Sequence, residues 1–279
     1  MTALKQIVTQ TLKNVVRPFV VTGGRPIAAA LAGKPPHKTL SAMVRVKNEE
    51  EYLDRAITSI VDLVDEVIIV DNLSDDATPE VIGSLRARYP TKIKTFTYPF
   101  NVARYGDEHT ALTKTRAGRR SPNYLPNFYS WCRARCTHPY ILKWDGDTVA
   151  TEALRPALQS FRQSKSQILF YTGINLHESR EHLINGRPFE DVEPRLFYKH
   201  YSRYGDYQGY AERLVSPYAT LFSEYAEYIQ DPLYIHLKFC KQQRFTNMSA
   251  NLQEREQRFS SIGEALSVDL RRQVVSLGL

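Results

Sequence analysis

The chain is poor in cysteine: its 279 residues contain three, Cys132, Cys136 and Cys240. A sparse, odd-numbered set builds no disulfide framework and points to a reducing compartment. Cys132 and Cys136 stand four apart and would share one helix face, but a structural zinc site ordinarily takes four ligands, so packing is the expected role. No run of about 18 apolar residues occurs, which argues against a spanning helix. The first residues lack the continuous hydrophobic segment and small-residue cleavage site of an export signal, so a cytoplasmic location is expected. Glycine-rich loops are missing too. The residues after the first hydrophobic strand, VRVKNEEE, offer none of the glycines with which a nucleotidyltransferase would cradle phosphates. No internal repeat is evident.

One further lack is local. Residues 1–48 contain no Asp or Glu, yet carry Lys5, Lys13, Arg17, Arg25, Lys34, Lys38, Arg45 and Lys47. Leu4, Ile7, Val8, Leu12, Val15, Val16 and Phe19 fall on one helical stripe. A basic amphipathic helix over residues 1–20 could lie on an anionic membrane surface, on the inner face of the cytoplasmic membrane, or pack on the protein itself or a second copy. Gly23, Gly24, Gly33, Pro35 and Pro36 then read as a linker. Over the whole chain the net charge is +7, a basic excess suited to an anionic partner.

What is present is an ordinary folding composition, 42% hydrophobic and 24% charged. From Thr39 onward strands and helices alternate. LSAMVRV is a strand, residues 49–63 a helix, EVIIVD a strand, residues 79–89 a helix and KIKTFTY a strand. A helix over 127–136 precedes YILKWD, another helix covers 152–164, and ILFYTGI and RLFYK are later strands. The charged segment 251–277 reads as helical, with Phe259, Ile262, Leu266 and Leu270 recurring. This alternation predicts an α/β fold with a mostly parallel, Rossmann-like central sheet flanked by helices, extended by helical segments at both termini. The expected organisation is 1–38 amphipathic helix and linker, 39–150 nucleotide-binding half, 151–245 acceptor-binding half and 246–279 a C-terminal helical segment.

Ligands in such sheets sit at the carboxyl ends of the strands. There YILKWD runs into Asp145, Gly146 and Asp147. Residues two apart on a strand point the same way, so the two carboxylates are expected to converge. Nearby carboxylates repel unless a cation lies between them, and hard divalent ions such as Mn²⁺ or Mg²⁺ take oxygen ligands and bridge to diphosphates. Asp-Gly-Asp alone is also common turn chemistry.

The run MVRVKNEEEYLDRAITSIVDLVDEVIIVDNLSDDATPEVI resembles the opening of family 2 glycosyltransferases of the GT-A fold. It shows a hydrophobic strand, then Asn48-Glu49-Glu50, then Val70-Asp71 followed by Ser74, Asp76 and Thr78, with the aspartate pair further on. The resemblance covers roughly residues 39–150. It implies transfer of a sugar from a nucleoside diphosphate-sugar, UDP- or GDP-linked, to a glycan or lipid-linked acceptor hydroxyl of a bacterial surface glycan, with no nucleic acid as partner. Asp71 would accept from the nucleobase, and Arg45, Asn48 and Glu49 would line the same pocket. Asp145 would meet the ribose or the metal, and Asp147 the metal on the diphosphate. His236, in an apolar run, would be a third metal ligand or else a hydrogen-bonded core histidine. Arg45 and Lys47 depart from the small, proline or aromatic residues more usual before the Asn.

For the base that deprotonates the acceptor, two carboxylates stand out. Arg195-Leu196-Phe197 followed by Gly209, Ala211 and Glu212 resembles a family pattern in which a histidine occupies the place of Ala211; Glu212 is the first candidate. Glu190-Asp191 resembles another family motif, with Asp191 the second. Lys114, Arg116, Arg119 and Arg120 would form a basic loop able to grip phosphate or simply solvated. A nucleotidyltransferase and a non-catalytic membrane- or anion-binding protein are the alternatives.

Overall fold

The computed structural model describes residues 38–207, 210–242, 250 and 261–279, of which 206–207 and 210–212 are described in backbone only. The expected leader helix, its linker up to residue 37 and Phe259 lie outside the described residues. Among the described residues no helix is long and apolar enough to cross a membrane.

The alternation is realised in order: β1 (Leu40–Val46), α1 (Leu53–Thr58), β2 (Glu66–Asp71), α2 (Thr78–Arg88), β3 (Ile93–Thr97), α3 (Asp107–Thr113), α4 (Leu125–Arg135) and β4 (Tyr140–Asp145). There follow β5 (Thr148–Ala150), α5 (Leu154–Gln163), β6 (Ile168–Tyr171), β7 (Ile174–Asn175), β8 (His182–Ile184) and β9 (Glu193–Tyr198). The chain continues through β10 (Arg203–Tyr207), β11 (Tyr210–Val215), β12 (Ala226–Tyr228), β13 (Tyr234–His236), β14 (Ile262–Ala265) and α6 (Val268–Ser276). The main sheet has seven strands in the order β12-β6-β9-β4-β1-β2-β3. β1 pairs in parallel with both β2 and β4, and only β9 runs against its neighbours. The α/β, mostly parallel architecture is therefore as expected. Strands from residues before and after 150 share this one sheet, so the two halves of the chain share a core.

Parity decides which layer each side chain enters. On one face Leu40, Ala42, Val44, Val67, Ile69, Leu142 and Trp144 pack against Leu53 and Ile57 of α1, Ile82 and Leu85 of α2, and Leu158 and Phe161 of α5. On the other, Met43, Ile68, Val70 and Ile141 meet Phe128, Tyr129, Cys132 and Cys136 of α4 or its end. Both of these cysteines are buried free thiols in that layer, as packing required. Lys38, assigned to the linker by sequence, is 1% exposed and donates to the carbonyls of Phe161 at 2.8 Å and Ser166 at 2.5 Å, tying the entry of β1 to α5.

Two expected elements came out differently. Residues 49–63 were to be one helix, but α1 is a short core of it, because residues 48–50 are spent on a turn bonded to the loop after β2. The segment 251–277 was to be helical throughout. Residues 251–260 lie outside the described residues; Ile262–Ala265 pairs antiparallel with β8, and a helix begins at Val268, capped by the Ser267 hydroxyl accepting from Leu270 N. Ile262 is exposed, so its place in the apolar recurrence had no core to point into.

Candidate functional site

Register brings the carboxyl ends of the three central strands level: Val46 pairs with Asp71 and Arg45 with Asp145. The loops leaving β1 and β2 are sewn together. Asn48, at φ 57°, donates from its amide to Asp75 Oδ1 at 2.6 Å and accepts from Asp75 N at 3.1 Å. Asn tolerates this left-handed backbone better than most residues. Asn48 N meets Ser74 Oγ, Glu49 N meets Thr78 Oγ1, and Glu50 and Asp76 exchange bonds with Ala77 N and Glu50 N. The polar motif read as nucleotide-binding thus also sets its own scaffold. Asp71 is 9% exposed and accepts from Ser74 N and Oγ, the latter at 2.5 Å. Lys47 caps the carbonyls of Asn72 and Leu73 at 3.0 and 3.1 Å, and so has a local role where the family shows other residue types.

Asp145 and Asp147 meet different partners. Ile141, Lys143 and Asp145 alternate onto the α4 face of the sheet. There Arg45 Nη2 donates to Asp145 Oδ1 at 2.5 Å and Arg195 Nη1 to Oδ2 at 3.0 Å. The Arg45 guanidinium lies 3.9 Å from the Tyr129 ring centre, and that of Arg195 4.3 Å from the Tyr234 ring centre. Burial would raise the acid's pKa, but the two guanidiniums outweigh it and hold Asp145 well below the usual carboxylate range.

After Asp145 the chain turns at Gly146, where a Cβ would come within 2.8 Å of the Glu49 side chain, and enters β5. That strand belongs to a separate three-stranded sheet in which His236 pairs with Thr148. Asp147 therefore faces a different group. Its Oδ1 lies 3.3 Å from His236 Nε2, and its Oδ2 2.7 Å from Lys241 Nζ. Lys241 also reaches both oxygens of Glu49, at 2.8 and 2.9 Å. On the far side of the imidazole, Nδ1 meets Glu190 Oε1 at 3.0 Å. Burial would lower the His236 pKa, but Asp147 and Glu190 lift it to about 10. Burial and neighbouring Asp147 push Glu49 up to about 8 against the pull of Lys241. The Asp147 carboxyl is held well below its ordinary value, burial being outweighed by Lys241 and His236.

Among the described residues no cluster of three or more His, Cys, Asp and Glu side chains is arranged to hold a metal ion. Two donors nevertheless fit one. A divalent ion with bonds of about 2.1 Å spaces adjacent ligand atoms roughly 3 Å apart, near the Asp147 Oδ1 to His236 Nε2 separation. Glu190 on Nδ1 is the carboxylate that fixes a ligating imidazole in its tautomer and orientation. An ion held by two side chains would take its remaining ligands from a diphosphate and water. Asp145, with both oxygens on guanidiniums, is not placed as a ligand.

Of the two base candidates, Asp191 is exposed and its neighbour Glu190 is the residue turned to His236. Glu212 lies in β11 with its side chain outside those described. The basic loop residues Lys114, Arg116, Arg119 and Arg120 are exposed, and Arg119 donates to the Thr113 carbonyl.

Residues 41–114 match the model of the family Glycosyl transferase family 2. The matched segment carries β1, the Asn48-Glu49-Glu50 turn, Asp71 and the Ser74 to Thr78 loop in the order set out above. Over 55 residues the chain is 42% identical to an uncharacterised glycosyltransferase of Rickettsia typhi and, to the same degree, to one of Rickettsia bellii. The matched stretch spans 20% of this chain and 19% of each relative. Among solved structures, the 1–349 portion of S. aureus TarS in complex with UDP is 15% identical, covering 71% of this chain and 60% of that one with a TM-score of 0.47. Glucosyl-3-phosphoglycerate synthase from Mycobacterium tuberculosis, crystallised with Mn²⁺, UDP and glucosyl-3-phosphoglycerate, is 14% identical, covering 89% and 80%, with a TM-score of 0.42.

The segment that matches the family model ends at residue 114, before the Asp145 and Asp147 groups, so their reading rests on geometry. Three of their members escaped assignment from sequence. Glu190 was seen only as the neighbour of Asp191. Arg195 was part of a strand pattern whose inward parity, alternating with Leu196, was the available signal. Lys241 lies five residues after His236, and no local pattern marks it.

Proposed function

We propose that the protein is a glycosyltransferase that moves a sugar from a nucleoside diphosphate-sugar to an acceptor hydroxyl, with Asp147 and His236 holding a divalent cation on the donor diphosphate. The observation that carries this reading is the relay Glu190, His236, Asp147, whose Asp147 lies one glycine beyond the carboxyl end of β4, in the parallel sheet whose strand β2 ends at Asp71. When bound, Mn²⁺ or Mg²⁺ would supply Lewis-acid charge for the departing diphosphate. The chain's own residues do the rest. Glu190 orients the imidazole, the loop sewn by Asn48 and Asp75 shapes the floor beside Asp71, and burial of Asp147 keeps water from screening its charge.

The general base in this reading is a carboxylate of the second half, Asp191 or Glu212, taking the proton as the acceptor attacks the anomeric carbon. The acceptor we propose is a surface-glycan or lipid-linked hydroxyl. With it goes a cytoplasmic, membrane-peripheral location through residues 1–20. Removal of residues 1–34 is then expected to release the protein from anionic vesicles.

The deciding experiment is thermal-shift screening of UDP, GDP and their sugars with and without Mn²⁺, followed by donor consumption. A ligand that binds the native state raises its melting temperature. A nucleotide-dependent shift that Asp147→Asn abolishes supports the reading; indifference to every nucleotide refutes it.

A further inference from the structure

The cation that Asp147 holds in this structure comes from the chain itself. Lys241 Nζ lies 2.7 Å from Asp147 Oδ2 and within 3 Å of both Glu49 oxygens, and its side chain is only 11% exposed. Two acidic side chains, 7% and 12% exposed, would repel each other without it. The same Asp147 carboxylate offers its other oxygen toward His236 Nε2, the pair whose spacing suits a divalent ion. An ammonium and a divalent cation cannot both sit against one carboxylate without strong like-charge repulsion, which at such separations and in a poorly hydrated site is far from negligible.

We infer that Lys241 is the resident counter-cation of the metal site: in the donor-free protein its ammonium bridges Asp147 and Glu49, and a divalent ion must displace it to bind. This rests on reading Asp147 and His236 as metal ligands. The exchange is a matter of charge and position, with one accompanying proton transfer: the His236 imidazole gives its Nε2 proton to solvent as it ligates. It gives the protein weak affinity for free metal, with tight capture only when the donor diphosphate arrives with the ion and offers the freed ammonium a new anion. Glu49, in the Asn-Glu-Glu motif, then acts as a positioning residue, anchoring Lys241 while the site waits.

The test is titration of the full chain with Mn²⁺ alone, followed by electron paramagnetic resonance of the free ion. Removing the ammonium in Lys241→Met and Lys241→Gln is expected to tighten Mn²⁺ binding at least tenfold, whereas Lys241→Arg stays near the parent. Melting curves in EDTA identify which variants are folded. On the unaltered chain, reductive methylation read by mass spectrometry supplies a second measurement: Lys241 is protected without metal and gains reactivity at saturating Mn²⁺. Equal Mn²⁺ affinity in the parent and the uncharged variants, or a Lys241 that stays protected, overturns the inference and leaves the metal-site reading standing. Failure of parent and variants alike to bind Mn²⁺, with or without UDP, overturns both.

Discussion

Asp145 and Asp147 are separated by one glycine and live in opposite settings. Asp145 is gripped by two guanidiniums, each laid against an aromatic ring, and both its oxygens are committed. Asp147 is held by one flexible ammonium and one imidazole. Planar, aromatic-stacked guanidiniums that each hold one oxygen of a carboxylate are a fixed arrangement, while an ammonium on a four-carbon stem exchanges readily. The difference separates a carboxylate fixed between two stacked guanidiniums from one that meets a flexible ammonium and, in the proposed function, a metal ion.

That contrast can be broken at its structural end first. Arg195→Met leaves the half-buried Asp145, 26% exposed, with Arg45 alone, and a loss of about 2 kcal/mol in urea-unfolding free energy is expected, less than a fully buried pair would cost. A variant as stable as the parent would show that the Asp145 group is not structural. Next comes Asp147→Asn, where the loss should fall on function: donor turnover is expected to drop at least about 100-fold, the upper end of what outer-shell changes cost, with the urea midpoint moving little. If stability collapses while turnover of the folded fraction persists, the two aspartates have been assigned the wrong way round.

Glu190→Gln sharpens the Asp147 side. It keeps the size and a hydrogen bond to His236 but removes the charge, so Mn²⁺ affinity in the presence of UDP should fall about 10-fold, measured by calorimetry, with the fold intact. The smallest effect is expected outside both groups. Asn48→Gly keeps the φ of 57° accessible and deletes only the side-chain bonds to Asp75, for a loss of about 1 kcal/mol in unfolding free energy. A much larger loss in donor affinity than in stability would reassign Asn48 to direct nucleotide contact.

The same two groups show how far the chain could be read without coordinates. Strand-helix alternation from Leu40 to Arg88 was legible because it is written in local periods, two for strands and 3.6 for helices, with Pro79 opening α2. The motif around Asn48 and Asp71 was legible by its resemblance to a family pattern; that Ser74 to Thr78 bond it across two loops was shown by the structure. Asp145 and Asp147 take different partners because same-side parity holds only while the strand continues. β4 ends at Asp145, and Gly146 hands Asp147 to another sheet.

Sequence alone therefore determined the α/β class and the level at which the polar loops gather, since both follow from periods within short windows, whereas His236 was marked only by resemblance to a family pattern. Tertiary structure decided which cation each carboxylate meets. Arg195 reaches Asp145 across 50 positions and Lys241 reaches Glu49 across 192, and pairings at such separations are set by which strands lie side by side rather than by any neighbouring residue.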